Sequence, residues 1–351
     1  MPISTRIGMR ARAAARRAAW PVPALLALVA WPNGARAGMP AASCIRGAAV
    51  VPLLGGRGDS PIIPIGVNGR AAAAYVSPAF RHVFIHDYGP IWFPAGPTQP
   101  LTAQDGHIVN SRPTEIDDLT IGPVDVASVA ATLLDGPAQH MVGGRPILGV
   151  LGRDLFSRVD VLLDMPHRTL ALFTWSGARS CGDDPARIFS GDVYALPMDD
   201  GGAVHARIGQ TVARLELDPD LGTSVLPVSE ARDAGVSDAS LAADPRITTQ
   251  YASVVMGYKH EFKGVMLGSY AAPAFDFIVQ RDIRDGALGQ NFFEGVVALL
   301  DFPHGRLVFQ PTADRDSTAP LHLHFDMPRK GTASVREGAG HIDDSAAPSR
   351  H

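Results

Sequence analysis

The chain has 351 residues, of which 46% are hydrophobic, 7% aromatic and 19% charged, with 36 Gly and 29 Pro. This composition is typical of a globular protein rich in turns and excludes a largely disordered chain. The length accommodates two domains, or one domain made of two lobes.

The first 37 residues have the order of a secretory signal peptide. They contain six arginines and no acidic residue, then an apolar run from Ala18 to Trp31, then Ala35-Arg36-Ala37. Because the run is short for a bilayer span, we expect cleavage before Gly38, with an uncleaved anchor as the alternative. The expected location is the periplasm or the medium, and no membrane span is expected after cleavage.

Loss of the signal peptide changes the charge of the protein. Without its six arginines, 25 basic residues remain against 35 acidic ones, which gives a net charge of −10. An acidic protein binds nucleic acid poorly, so we expect no nucleic-acid partner. Cys44 and Cys181 form one disulfide in an oxidising compartment or remain two free thiols, because sequence does not fix the distance between them.

Short apolar runs separated by turn residues predict strands and hairpins upstream of residue 150 and again upstream of residue 287. Asn68-Gly69 and Gly209-Gln210 are predicted hairpin turns. The segments 117–135 and 260–280 each predict a strand, a glycine turn and a returning strand.

A 23-residue sequence occurs twice in the chain. LGRDLFSRVDVLLDMPHRTLALF, from Leu151 to Phe173, aligns without a gap with LGQNFFEGVVALLDFPHGRLVFQ, from Leu288 to Gln310. Each copy predicts a glycine turn, one helical turn (154–158 in the first copy), a strand, a proline turn and a final strand. We interpret the matched His167 and His304 as turn residues rather than metal ligands, because neither has a second ligand at a suitable spacing.

The duplication predicts two lobes. We divide the chain into a signal peptide at 1–37, a first lobe at 38–178, a linker at 179–190, a second lobe at 191–311 and a disordered tail at 312–351. No phosphate-binding glycine loop, His-Glu-x-x-His or Gly-x-Ser-x-Gly sequence occurs, and we expect no metal and no cofactor.

The sequences VLGRDLF and ALGQNFF resemble the Gly-Arg-Asp/Asn segment of retropepsin-like (pepsin-type) aspartic proteases. The hydrophobic-hydrophobic-Gly sequence of that family is matched by ILG at 147–149. The residues that carry the resemblance, interpreted as structural, are Gly152, Arg153, Asp154, Gly289, Gln290 and Asn291. The resemblance covers nearly all of 50–310 as two tandem copies, and implies an all-β fold of two related lobes with a cleft between them.

In that family each copy supplies one Asp-Thr-Gly loop, and the two carboxylates share a proton and activate a water. Two like charges held together cannot both ionise, so one acid serves as general base and the other as general acid. Here both loops are degenerate. The second copy has Asp218-Pro219-Asp220 at this place and the first has Ser77-Pro78-Ala79.

A second alignment remains open, in which Asp87-Tyr88-Gly89 is the first loop. It requires a strand through Pro78, which only an edge strand tolerates. The catalytic candidates are therefore Asp218 and Ser77, with Asp220 and Asp87 as weaker ones. Asp218 is equally explained as an acid that opens a turn.

Three functions remain open on this sequence. The first is an exported aspartic-protease-like protein with impaired catalysis, a pseudoprotease, that binds a peptide or protein segment in its cleft by strand addition. The second is an active aspartic endopeptidase that uses Asp218 with a second acid. The third is a structural envelope protein whose cleft has no role. Because both copies lie in one chain, we expect a monomer.

Overall fold

The structure, a computed structural model, describes residues 45–102, 108–175, 188–189, 192–249, 255–281 and 283–312. The predicted signal peptide, Cys44, Cys181 and the chain beyond Thr312 lie outside these residues. Among the described residues, no helix has the length and apolar character that crossing a bilayer requires.

The described residues of the first half form eleven strands. They are β1 (Ile45–Pro52), β2 (Ile62–Val67), β3 (Arg70–Val76), β4 (Val83–Asp87), β5 (Gln99–Thr102), β6 (Ile108–Ile121), β7 (Val124–Pro137), β8 (Met141–Val142), β9 (Arg145–Leu151), β10 (Asp160–Asp164) and β11 (Thr169–Trp175). Six of them form a closed ring in the order β2-β3-β9-β4-β7-β6, because β6 pairs back onto β2.

The second half repeats this arrangement. Its strands are β12 (Tyr194–Pro197), β13 (Val204–Ile208), β14 (Thr211–Leu217), β15 (Val225–Pro227), β16 (Arg246–Thr249), β17 (Val255–Leu267), β18 (Tyr270–Gln280), β19 (Gly286–Leu288), β20 (Val296–Asp301) and β21 (Arg306–Pro311). The ring order is β13-β14-β19-β15-β18-β17, closed by β17 on β13. Each strand of this ring matches one strand of the first, so the duplication extends to the topology.

A third sheet joins the two halves, in the order β1-β11-β10-β20-β21-β12. Its central pair is antiparallel, and Leu162 is the register partner of Leu299. These two leucines are also equivalent in the sequence repeat, so a pseudo-twofold axis passes between them. The predicted fold class, all-β with two related lobes, is confirmed.

The predicted turns form for the expected reasons. Asn68 and Gly69 have φ of 51° and 73°, the left-handed conformation that a two-residue hairpin turn requires. In the two proline turns, the carboxylate of Asp164 accepts from the backbone N–H of His167 at 3.1 Å, and that of Asp301 accepts from His304 at 3.2 Å. Both histidines are turn residues, as predicted.

The helices differ partly from expectation. The helical turn of the repeat is present in both copies, as α1 (Arg153–Phe156) and α4 (Gln290–Phe293). Two helices after β15, namely α2 (Val228–Asp233) and α3 (Asp238–Ala243), lie where strands were predicted. The hydroxyl of Ser237 caps α3 by accepting from the N–H of Ser240 at 3.1 Å, a signal that the sequence analysis missed.

Part of the predicted linker belongs to the core. Ile188 and Phe189 are buried with Phe173 and Leu299 on one face of the six-stranded sheet. The lobe boundaries themselves stay predictions.

Candidate active site

Two loops with the same backbone geometry follow β3 and β14. In the first, the N–H of Ser77 donates to the carbonyl of Leu151 at 3.3 Å, and in the second Asp218 donates to Leu288 at 3.0 Å. Ser77 and Asp218 then each accept from the residue three positions later, at 3.3 and 3.0 Å. The structure therefore aligns Ser77, and not Asp87, with Asp218.

The Gly-Arg-Asp/Asn segments support these loops at close range. A Cβ atom on Gly152 would lie 2.2 Å from the carbonyl oxygen of His82, and one on Gly289 would lie 2.6 Å from that of Leu221. Both distances are far below van der Waals contact, so each loop has room for no side chain larger than a hydrogen at these positions.

The two loops meet across the lobes. The hydroxyl of Ser77 donates to Oδ1 of Asp218 at 2.7 Å. Both residues are fully buried. The Ser77 side chain thus stands where the resemblance implies a second carboxylate, with the aspartate of the other lobe directly against it.

Pro78 and Pro219 replace the threonines of the family loops. Proline fixes φ and has no N–H, and it carries no hydroxyl with which to brace the partner loop. The Ser77 loop is instead held through its carbonyls, because Nη1 of Arg153 lies 3.3 Å from the oxygens of both Pro78 and Ala79. Burial lowers the pKa of this guanidinium, although neighbouring acids oppose the shift.

Asp220 stands where the family loop has glycine. It is buried, and its backbone carbonyl accepts from the hydroxyl of Ser60 at 3.1 Å, a further hydrogen bond between the halves. Asp220 therefore adds a carboxyl side chain at a position where the resemblance implies none.

The last residues of the two Gly-Arg-Asp/Asn segments have different roles. Oδ1 of Asn291 accepts from the N–H and hydroxyl of Ser224 at 2.8 and 2.7 Å, and its amide donates to the carbonyl of Asp276 at 2.9 Å. Asp154, the equivalent residue of the first lobe, is half exposed and lies 2.8 Å from Nδ1 of His82. Asn291 thus connects its own segment to those of Ser224 and Asp276, whereas Asp154 is an acid at the protein surface.

Sequence reasoning missed Ser224. Its hydroxyl also accepts from the N–H of Gly289 at 2.9 Å, so it connects the Asp218 loop to the second repeat. The available signal was the small polar pair Thr223-Ser224 directly after the loop.

Asp87 ends β4, and Oδ1 of its carboxylate accepts from the N–H of Phe93 at 3.1 Å. It therefore holds the turn that follows this strand. Within the described ranges, no group of three or more His, Cys, Asp or Glu side chains is arranged to bind a metal ion.

No family profile matches the chain, and no curated protein matches its sequence. Among solved structures it is similar to the crystal structure of an aspartic proteinase from Irpex lacteus, with 14% identity over 78% of this chain and 99% of that one, at a TM-score of 0.47.

The strand pairings of the chain itself establish the two barrels and the sheet between them.

Proposed function

We propose that this chain is an exported, monomeric, aspartic-protease-like protein with impaired catalysis, which binds a peptide or protein segment in the cleft between its lobes. The observation that carries the proposal is the hydrogen bond from Ser77 to Asp218.

A serine at position 77 leaves the site without one of the two carboxyl groups that acid–base catalysis uses. Peptide hydrolysis by two carboxylates requires one of them to take a proton from water and the other to give a proton to the leaving amine. A serine hydroxyl does not ionise in the pH range where a carboxyl does, so the Ser77–Asp218 pair has one titrating group. Loss of a general acid or base costs about 10²- to 10⁴-fold in rate.

Binding needs none of this chemistry. The β6–β7 and β17–β18 hairpins are long in both lobes, and an extended peptide can add to such a hairpin as a further strand. Ile108 and Met256, near the starts of β6 and β17, are 71% and 55% exposed. Exposed apolar side chains near the starts of equivalent strands in both lobes favour a ligand with apolar side chains.

The test uses the chain without residues 1–37, incubated with a mixed peptide library from acid to neutral pH and analysed by mass spectrometry. We expect no cleavage by the natural protein or by Asp218→Asn. Bound peptides, recovered by affinity capture, should bind both proteins with the same affinity within about threefold, since the asparagine is isosteric.

A second pair of variants locates the peptide. Ile108→Asp should weaken binding about tenfold or more, whereas Val212→Asp, which changes a residue 62% exposed on β14, should not. Cleavage by the natural protein that Asp218→Asn abolishes would identify an active endopeptidase and would contradict the proposal. Failure to retain any peptide from a folded sample would instead support a structural role in the envelope.

A further inference from the structure

Two buried acids face each other where the lobes join. Asp160 of β10 is the register partner of Asp301 of β20. Their exposed fractions are 1% and 0%. One acid comes from each half of the chain, so this contact is part of the joint between the lobes.

The pair is not a consequence of the duplication. In the repeat, Asp160 corresponds to Val297 and Asp301 corresponds to Asp164. On the other side of the pseudo-twofold axis Asp164 is therefore the register partner of Val297, and an acid faces an apolar residue. Of the two residue pairs related by the pseudo-twofold axis, only Asp160 and Asp301 are both acids.

Asp301 has two side-chain partners of its own. Oδ1 lies 2.6 Å from Nδ1 of His304, and Oδ2 accepts from Nε of Arg306 at 2.6 Å. The His304 backbone donates to the same carboxylate. Both carboxylate oxygens of Asp301 therefore have partners among the described residues.

Asp160 is in a different environment. The backbone N–H of Trp175 bonds to its carboxyl, and its register partner on the other side is the apolar Phe173 of β11. Oδ1 is buried and meets no hydrogen-bond donor among the described residues. The titratable and charged side chains that face the pair are His304 and Arg306, and both contact Asp301 rather than Asp160.

Two adjacent buried carboxyl groups cannot both be ionised without a large cost. A proton on Asp160 removes one charge and gives the pair a hydrogen bond, because the protonated carboxyl can donate to Asp301. Burial, and then the charge of Asp301, raise the pKa of Asp160 to about 7.

We propose that the joint between the lobes is a pH-sensitive contact, closed in acid by a proton that Asp160 shares with Asp301 and weakened when that proton is lost. The proton moves from the Asp160 carboxyl to water, and no other bond changes. This inference does not depend on what the cleft binds.

The direction of the effect follows from linkage. An aspartate in the unfolded chain has a pKa of about 3.9, so below that value folded and unfolded states are both protonated and the stabilisation is fully present. Between about pH 4 and the folded pKa of about 7, the folded state holds one more proton than the unfolded state. The unfolding equilibrium constant then rises up to about tenfold per pH unit, and the stabilisation is lost.

The first measurement is urea unfolding of the natural protein and Asp160→Asn from pH 4 to 8. We expect the unfolding constant of the natural protein to rise between pH 5 and 7 by about tenfold or more beyond the rise in Asp160→Asn. Hydrogen exchange, corrected for intrinsic rates, should show the protection of β10 and β20 falling with pH in the natural protein alone. His304 and Arg306 are present in both proteins, so the two proteins differ only in the Asp160 carboxyl and its interactions.

Two further variants keep the test decisive. Glu230 in α2 also has a pKa raised by burial to about 7, so Glu230→Gln must retain the part of the pH dependence that Asp160→Asn removes. Asp160→Val places in the first half the residue that the second half has at 297, and should remove the same part if the asparagine variant does not fold. Equal pH profiles for the natural protein and both Asp160 variants would overturn the proposal, as would a ¹³C-NMR titration of the Asp160 carboxyl with an ordinary pKa.

Discussion

Gly152 and Gly289 each lie against the backbone of another segment of the chain, next to the two loops of the candidate site. Gly289 has φ of −96°, which any residue can adopt, so backbone strain does not explain a glycine there. The explanation is space, because an added Cβ would lie 2.7 Å from the carbonyl carbon of Thr223 and 2.8 Å from the nitrogen of Ser224. The Asp218 loop has to move if this residue gains a methyl group.

Gly289→Ala should therefore lower the free energy of unfolding by about 3 kcal/mol, the cost of overpacking a rigid site. Chemical denaturation measures it. Gly56→Ala is the control, since its Cβ would be 3.6 Å from the nearest atom, and should change stability by no more than about 0.5 kcal/mol. Equal small losses for the two variants would contradict the steric explanation.

For individual residues, the sequence predicted features that depend on spacing along the chain. It did not predict contacts between distant segments. Ser77 and Asp218 lie at similar distances before the two copies of the repeat, 74 residues before Leu151 and 70 before Leu288, and the structure gives these residues the same backbone hydrogen bonds. The pairing of Asp160 with Asp301 was not visible, because register between strands 141 residues apart is set by the assembled sheet.

Among the elements, the strands were predictable and the two helices after β15 were not. Alternating burial in β13, where Val204, Ala206 and Ile208 point inward, is the period-two pattern of a half-buried strand. The helices α2 and α3 are each six residues long, too short to show a helical period in the sequence. The cap at Ser237 was the available signal.

The segment around α4 depends on Asn291 more than its counterpart around α1 depends on Asp154. Asn291→Ala removes the acceptor of two hydrogen bonds from Ser224 and the donor to Asp276. We expect a loss of about 2 kcal/mol in the free energy of unfolding.

Asp154→Ala is the matched control, because it changes the equivalent residue of the first lobe and removes a surface pair with His82. Its expected loss is about 0.5 kcal/mol. Urea unfolding compares the two variants, and similar losses would show that the Asn291 contacts do not hold the loop.

For the molecule as a whole, the sheet that contains β10 and β20 determines whether the lobes unfold together. Leu299 is fully buried at the pseudo-twofold axis and faces Leu162 of the other half. The sequence repeat predicted two lobes but did not predict that both copies of the repeat lie side by side. Each half contributes its copy of the repeat to the sheet that joins the lobes.

Leu299→Ala should lower the free energy of unfolding by about 3 kcal/mol, because it leaves a cavity at the joint. Hydrogen exchange should rise in both β10 and β20. Val212→Ala, at a residue 62% exposed, should change stability by about 0.5 kcal/mol at most. Faster exchange in β20 alone, with β10 unaffected, would mean that the lobes open independently.

The pseudo-twofold axis also bears on how the two halves diverge. Away from the joint and from the Ser77 and Asp218 loops, one copy can accumulate substitutions without regard to the other, as Asn291 and Asp154 have done. At the axis each copy is the packing environment of its twin, since Leu162 contacts its own duplicate. Drift there has to be reciprocal, so a larger side chain in one copy requires a smaller one in the other.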